Sequence, residues 1–160
     1  MTEQATVPEP DKQKPLRILA VEDEIGVGVL MEAIYSKAHQ IEIVTSADQA
    51  LEKLRQNHYD MLLTDKGLDG PKDGFELVNE MNAEGLGDGI FVVMVSGSAE
   101  QITKIYPGDQ LEGKGIHKLL GKDKTLKDDL RNLVIEEKVW REKQGKEQCL
   151  LVIFLNILRN

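Results

Sequence analysis

Several short apolar stretches of this sequence run into residues that can do chemistry. Leu16-Arg17-Ile18-Leu19-Ala20-Val21 stops at Glu22-Asp23-Glu24, Tyr59 to Thr64 stops at Asp65, Ile90 to Val95 stops at Ser96, and Ile116-His117-Lys118-Leu119-Leu120 carries Lys118 close to its end. Carboxylates gathered in one pocket repel one another and raise one another's pKa. A hard divalent cation with oxygen ligands relieves that repulsion, and Mg²⁺ is satisfied by one or two carboxylates, a phosphate oxygen and several waters. Asp65 would then be a carboxylate nucleophile able to accept a phosphoryl group. Phosphoryl transfer asks mainly for positioning and charge neutralisation, which a metal, a lysine ammonium and a hydroxyl around one aspartate supply. Taken singly, each residue has a plainer use: an aspartate or serine after a strand caps a turn or helix, acids favour a helix start, and a lysine is a surface charge. Their joint occurrence at successive apolar stretches points to a site.

The elements between these residues must bring them together. Val29, Leu30, Ala33, Ile34 and Ala38 fall at helical spacing, so a helix is predicted over Ile25–Ala38. Ile41, Ile43 and Thr45 alternate with Glu42 and Val44 in the manner of a strand near a sheet edge. Ser46 is a suitable N-cap for a helix over Ala47–Gln56. A polar, glycine-rich loop from Lys66 to Asp73 precedes a helix over Gly74–Ala83. Ile90–Val95 is a continuous apolar run, which suits a strand buried on both faces. A short helix is expected over Ala99–Tyr106, broken by Pro107-Gly108, and a last one over Leu126–Trp140. Strands alternating with helices predict an α/β fold, a flavodoxin-like, doubly wound, five-stranded parallel sheet. Ligands of such sheets bind at the carboxyl ends of the strands, where these residues lie.

Length and composition narrow the class. The chain has 160 residues, about one domain, with 20 basic against 28 acidic residues and a net charge of −8. That balance argues against a nucleic-acid partner held through phosphates. The single cysteine, Cys149, excludes an intramolecular disulfide and is expected to be buried in its apolar run. Met1 to Pro15 lacks the apolar core of a secretory signal, and no run of 18 apolar residues suggests a membrane span. The expectation is a cytoplasmic protein with a disordered leader over 1–15, one domain over 16–140 and a C-terminal extension over 141–160. Acids stand after the first strand where a nucleotide-binding enzyme would carry a glycine-rich phosphate loop. His39, His58 and His117 have no metal-ligand spacing.

Five segments in order resemble the receiver domain of two-component response regulators, the CheY-like family. They are Leu16 to Glu24, Ser46 to Leu54, Tyr59 to Asp65, Asp73 to Val78 and Val92 to Gly97. The resemblance implies that Asp65 is the phosphoacceptor, that Glu22, Asp23, Asp65 and the Gly67 carbonyl hold Mg²⁺, that Ser96 bonds a phosphoryl oxygen, and that Lys118 pairs with the phosphoryl group. It implies a phosphohistidine donor on a sensor histidine kinase or histidine phosphotransfer protein. Catalysis would be limited to self-phosphorylation and dephosphorylation of the aspartate. Some features depart from the family. Leu119 follows Lys118 where the family has proline, so Lys122 and Lys114 stand as alternative cations. Gly115 occupies the place of an aromatic three residues before the lysine. A degenerate receiver, acting as an interaction or dimerisation module without phosphate chemistry, is the alternative reading.

The segment after the last predicted helix is too short for a DNA-binding output domain, so a stand-alone receiver acting on a downstream protein is expected. Cys149 to Leu155 is apolar throughout. It packs against its own domain, forms a homodimer or partner surface, or lies in a membrane interface.

Overall fold

In a computed structural model, residues 14–158 are described; the leader expected over 1–15 falls almost wholly outside them. The chain alternates β1 (Arg17–Val21), α1 (Ile25–Tyr35), β2 (Gln40–Val44), α2 (Ala47–Gln56), β3 (Met61–Asp65), α3 (Gly74–Ala83), β4 (Phe91–Ser96), α4 (Ala99–Ile105), α5 (Gln110–Gly113), β5 (Lys118–Gly121) and α6 (Leu126–Leu158). The five strands form one parallel sheet in the order β2-β1-β3-β4-β5, the flavodoxin-like arrangement. The strand with alternating polar residues, β2, is at the edge, and the continuously apolar β4 is buried along its whole length.

Successive side chains of a strand point to opposite faces, and this period divides the core in two. Leu19, Val21, Leu62, Val92 and Met94 pack under α2, α3 and α4, against Leu51, Leu54, Leu77, Met81 and Ile102. Ile18, Ala20, Met61, Leu63, Val93 and Val95 pack on the other face, against Met31 and Tyr35 of α1 and Leu130 and Leu133 of α6. The buried Tyr35 hydroxyl donates to the Leu130 carbonyl at 2.6 Å and ties those two helices together.

The second half departs from expectation in four places. The strand expected over Ile116–Leu120 begins at Lys118 and ends at Gly121. Gly115 turns the chain with φ of 81°, and the His117 amide already bonds the Val92 carbonyl. A one-turn helix, α5, fills the stretch after Pro107-Gly108. The last helix does not stop at Trp140 but continues to Leu158, a rod about 50 Å long at 1.5 Å per residue. Its apolar run does not fold back on the domain: Leu150, Leu151, Val152, Phe154 and Leu155 are exposed, and Cys149 is exposed rather than buried. Among the described residues no helix is long and apolar enough to cross a membrane.

Candidate functional site

Two strand ends bring the acids to the carboxyl edge of the sheet. β1 delivers Glu22 and Asp23 as the two residues after Val21, and β3 ends on Asp65 itself. Hydrogen bonds fix each of them locally. The Glu22 amide donates to the Val44 carbonyl of β2 at 2.9 Å, and Glu22 Oε1 accepts from the Glu24 amide at 2.9 Å. Asp23 Oδ2 accepts from the Asp69 amide at 2.9 Å, which draws the loop after β3 over the acids. Asp65 Oδ1 accepts from the Gly67 amide at 3.0 Å. Glycine is required at the start of α3: a Cβ on Gly74 would run into the Asp65 carbonyl oxygen, and the Gly74 amide closes the loop on Lys66 at 3.0 Å.

The cation at this site is Lys122. Its Nζ lies 2.7 Å from Asp65 Oδ2 and 3.0 Å from Glu22 Oε1, with Glu24 Oε2 at 3.4 Å. Lys118, the residue favoured by the resemblance, opens β5 instead of closing it. It is paired with Val93, three positions before the Ser96–Gly121 pair, and so lies about 10 Å down the strand from the carboxyl edge. Its ammonium bonds Glu136 of α6 at 2.9 Å. Lys122 is the first residue beyond Gly121, and its amide bonds the Ser96 carbonyl at 3.1 Å. The readable signal was Gly121 followed by a lysine and an aspartate: Asp123 accepts from the Thr125 amide and hydroxyl at 2.8 and 2.7 Å and turns the chain there. Lys114 is elsewhere, over the Tyr106 ring. Counted from Lys122 rather than Lys118, the position three residues back is Leu119, which is not aromatic either.

Ser96 ends β4 and is buried. Its hydroxyl lies 3.0 Å from Ser98 Oγ and accepts from the Ser98 amide at 3.1 Å.

Burial sets the electrostatics. Desolvation pushes the Glu22 carboxyl above its usual range, partly offset by its hydrogen bond from Lys122. Burial alone would make Lys122 less basic, but its hydrogen bonds to Asp65 and Glu22 outweigh this and raise it. Oxygens of Glu22, Asp23 and Asp65 lie within 4.8 Å of one another. Glu22 Oε2 is buried and has no hydrogen-bond donor. Lys122 Nζ stands 2.9 Å from it, but its directed bond goes to the other oxygen. Hard oxygen donors around an under-satisfied buried carboxylate fit a divalent cation such as Mg²⁺. Gly67 adjoins this cluster through its amide bond to Asp65.

Residues 18–128 match the family model described as the response regulator receiver domain. A search of curated proteins finds no match. Among solved structures, the chain is similar to NtrX from Brucella abortus, with TM-score 0.70 and 22% identity over 85% of this chain, although it spans only 30% of that longer one. It is similar to a CheY-like receiver protein from Methanospirillum hungatei JF-1, with TM-score 0.65 and 22% identity over 83% of this chain and 98% of that one. It is also similar to the response regulator TrrA from Thermotoga maritima, solved in complex with Mg²⁺ and BeF, with TM-score 0.60 and 20% identity over 76% of this chain and 98% of that one.

Proposed function

The chain belongs to the response regulator receiver domain family, and we propose that it is a phosphorylation-controlled switch in which Asp65 accepts a phosphoryl group. The observation that carries this reading is the Asp65 carboxylate at the end of β3, 2.7 Å from the Lys122 ammonium and beside Glu22 and Asp23. In the transfer, an Asp65 oxygen attacks phosphorus, an O–P bond forms, and the P–N bond to the donor histidine breaks with its electron pair left on the ring nitrogen. Lys122 neutralises charge on the phosphoryl oxygens, and Ser96 gives them a hydrogen bond. Glu22, Asp23, Asp65 and the Gly67 carbonyl would hold Mg²⁺, which when bound neutralises phosphoryl charge. That the similar TrrA structure holds Mg²⁺ and BeF supports a Mg²⁺ ion in this reading. The donor is a sensor histidine kinase or histidine phosphotransfer protein, the output is contact with a downstream protein, and the place of work is the cytoplasm. The receiver unit is residues 16–140, and 141–160 are an extension, of which 141–158 continue α6.

The test is intact mass after incubation with acetyl phosphate, with and without Mg²⁺. A phosphoryl adduct that requires Mg²⁺ and is absent from Asp65→Asn is expected. No adduct from either acetyl phosphate or a phosphorylated histidine phosphotransfer domain would overturn the reading.

The exposed apolar end of α6 favours a second reading, a dimerisation or interaction module that works without phosphate. Contiguous exposed apolar surface marks an interaction site, and Leu150, Leu151, Val152, Phe154 and Leu155 supply it here. Light scattering decides it: on this reading the chain is a dimer and Leu151→Glu is a monomer, with or without acetyl phosphate.

A further inference from the structure

Two helices of the same layer begin with the same sequence pattern. α2 is entered through Ser46-Ala47-Asp48-Gln49 and α4 through Ser98-Ala99-Glu100-Gln101. Serine is among the best N-caps because its hydroxyl accepts from an otherwise unbonded amide of the first turn. A glutamine three residues later completes the pattern by reaching back. At α2 the serine half is made, and the glutamine reaches back past the cap to the residue before it. Ser46 has extended backbone, with φ −139° and ψ 156°, its hydroxyl accepts from the Gln49 amide at 3.3 Å, and Gln49 Oε1 accepts from the Thr45 amide at 3.0 Å.

At α4 neither half is made, although the residues are equivalent. Ser98 has ψ of 29°, away from the extended backbone of a cap, and no side-chain bond to its helix. Its hydroxyl pairs with Ser96 Oγ at 3.0 Å, and its amide donates to the same oxygen at 3.1 Å. The four-residue pattern itself cannot explain the difference, because it is shared. What α2 lacks is a buried serine two residues before its cap: Val44 stands there. Ser98 is engaged instead by Ser96, the hydroxyl assigned above to the phosphoryl group.

We infer that Ser98 is a positioning residue: it holds the Ser96 hydroxyl in the resting protein and caps α4 once Ser96 is drawn to the phosphoryl oxygens. This rests on the role proposed for Ser96. One hydroxyl exchange links the two events. Ser96 leaves Ser98 for the phosphoryl group, Ser98 turns to extended backbone, and its oxygen accepts from the Gln101 amide as Ser46 accepts from Gln49. The helix that gains the cap has much to gain. α4 has only seven residues, ends before Pro107 and buries Ile102 alone among its side chains. Phosphorylation at the sheet edge is thereby converted into tighter winding of the first turn of α4.

The test is amide hydrogen exchange at Gln101, read by NMR on the full chain. Ser96→Ala without phosphate frees Ser98, so exchange at Gln101 slows about five-fold, the factor a serine cap typically gives. Ser96→Gly reports the same change by a second route should the alanine variant fold poorly. The double variant Ser96→Ala/Ser98→Ala shows no slowing. Unchanged or faster exchange in the folded Ser96 variants overturns the inference, as does slowing that persists in the double variant. These arms need no phosphate, so they decide the exchange of hydroxyls even if Asp65 is never phosphorylated. On phosphorylated protein, Gln101 exchange slows in wild type and does not in Ser98→Ala; equal slowing in both overturns the inference.

Discussion

The layer formed by α2, α3, α4 and α5 is anchored well on one side and poorly on the other. α2 is capped by Ser46, and α3 by a reciprocal pair in which Asp73 accepts from the Glu76 amide and Glu76 accepts from the Asp73 amide. Each buries four residues, Ala47, Ala50, Leu51 and Leu54 in one and Gly74, Leu77, Val78 and Met81 in the other. α4 and α5 have no side-chain cap, and between them they bury only Ile102. Helices this short owe their stability to packing and caps, since propensity alone does not sustain them in water. The half with α2 and α3 is therefore the better anchored, while the half with α4 and α5 is the one that a small local event can reshape. The site draws on both: Asp65 comes from the anchored side, Ser96 and Lys122 from the side that can respond.

The largest effect that would break this division of labour is at the lysines. Lys122→Ala should slow phosphorylation of Asp65 by acetyl phosphate about 100-fold, the cost of losing one preorganised charge donor, while Lys118→Ala leaves the rate unchanged. Time courses of intact mass separate them, and equal losses would undo the assignment of Lys122. Next is the anchored side itself. Gly74→Ala pushes a methyl group against the Asp65 carbonyl and should cost about 1–3 kcal/mol, seen as a lower midpoint in urea. A neutral result would mean that the loop after β3 yields freely.

The two serines sharpen the contrast. Ser46→Ala removes a working cap and should cost about 1 kcal/mol, whereas Ser98→Ala removes none from the resting protein and should cost less than about 0.5 kcal/mol. The same urea titrations measure both, and reversed sizes would place the anchored side at α4.

The smallest effect concerns the opposite edge of the sheet. His117 Nδ1 accepts from the Val92 amide at 2.9 Å, and desolvation lowers its pKa below the usual value of about 6.5. His39 does the same for the Leu16 amide at 3.1 Å, and its pKa is lowered by burial too. Below pH of about 6.5 the unfolded chain binds more protons than the native one, so stability is full above that pH and is lost as pH falls through the lower native values. His117→Asn, whose amide oxygen can still accept from Val92, should reduce this loss between pH 7 and pH 5. An unchanged pH slope would assign the loss to His39 or to the carboxylates.

Much of the fold was legible because its signals are local and repeated. The continuous apolar run of β4, the alternation in β2 and the serine cap of α2 depend on neighbours in sequence, and those elements lie where periodicity puts them. Glu22, Asp23 and Asp65 converge as their place after apolar strands implies. Lys122 was less legible, since Ile116-His117 resembles strand and draws the eye to Lys118, while the ladder to β4 begins at Lys118. The exposure of Cys149 was not legible, and for its apolar neighbours the sequence left packing, a partner surface and a membrane interface all open. An apolar run reads as buried, and only the continuation of α6 carries it away from the domain.

The sequence by itself determined the alternation of strands and helices, the parallel sheet and the acids at its carboxyl edge, because each follows from period, propensity and strand ends. Tertiary structure alone decided which lysine reaches Asp65, since a shift in where β5 begins moves a side chain about 10 Å along the sheet. It also decided what two equivalent serines do. Ser46 and Ser98 open the same four-residue pattern, yet Ser46 caps α2 while Ser98 bonds the buried Ser96 and leaves α4 without a side-chain cap.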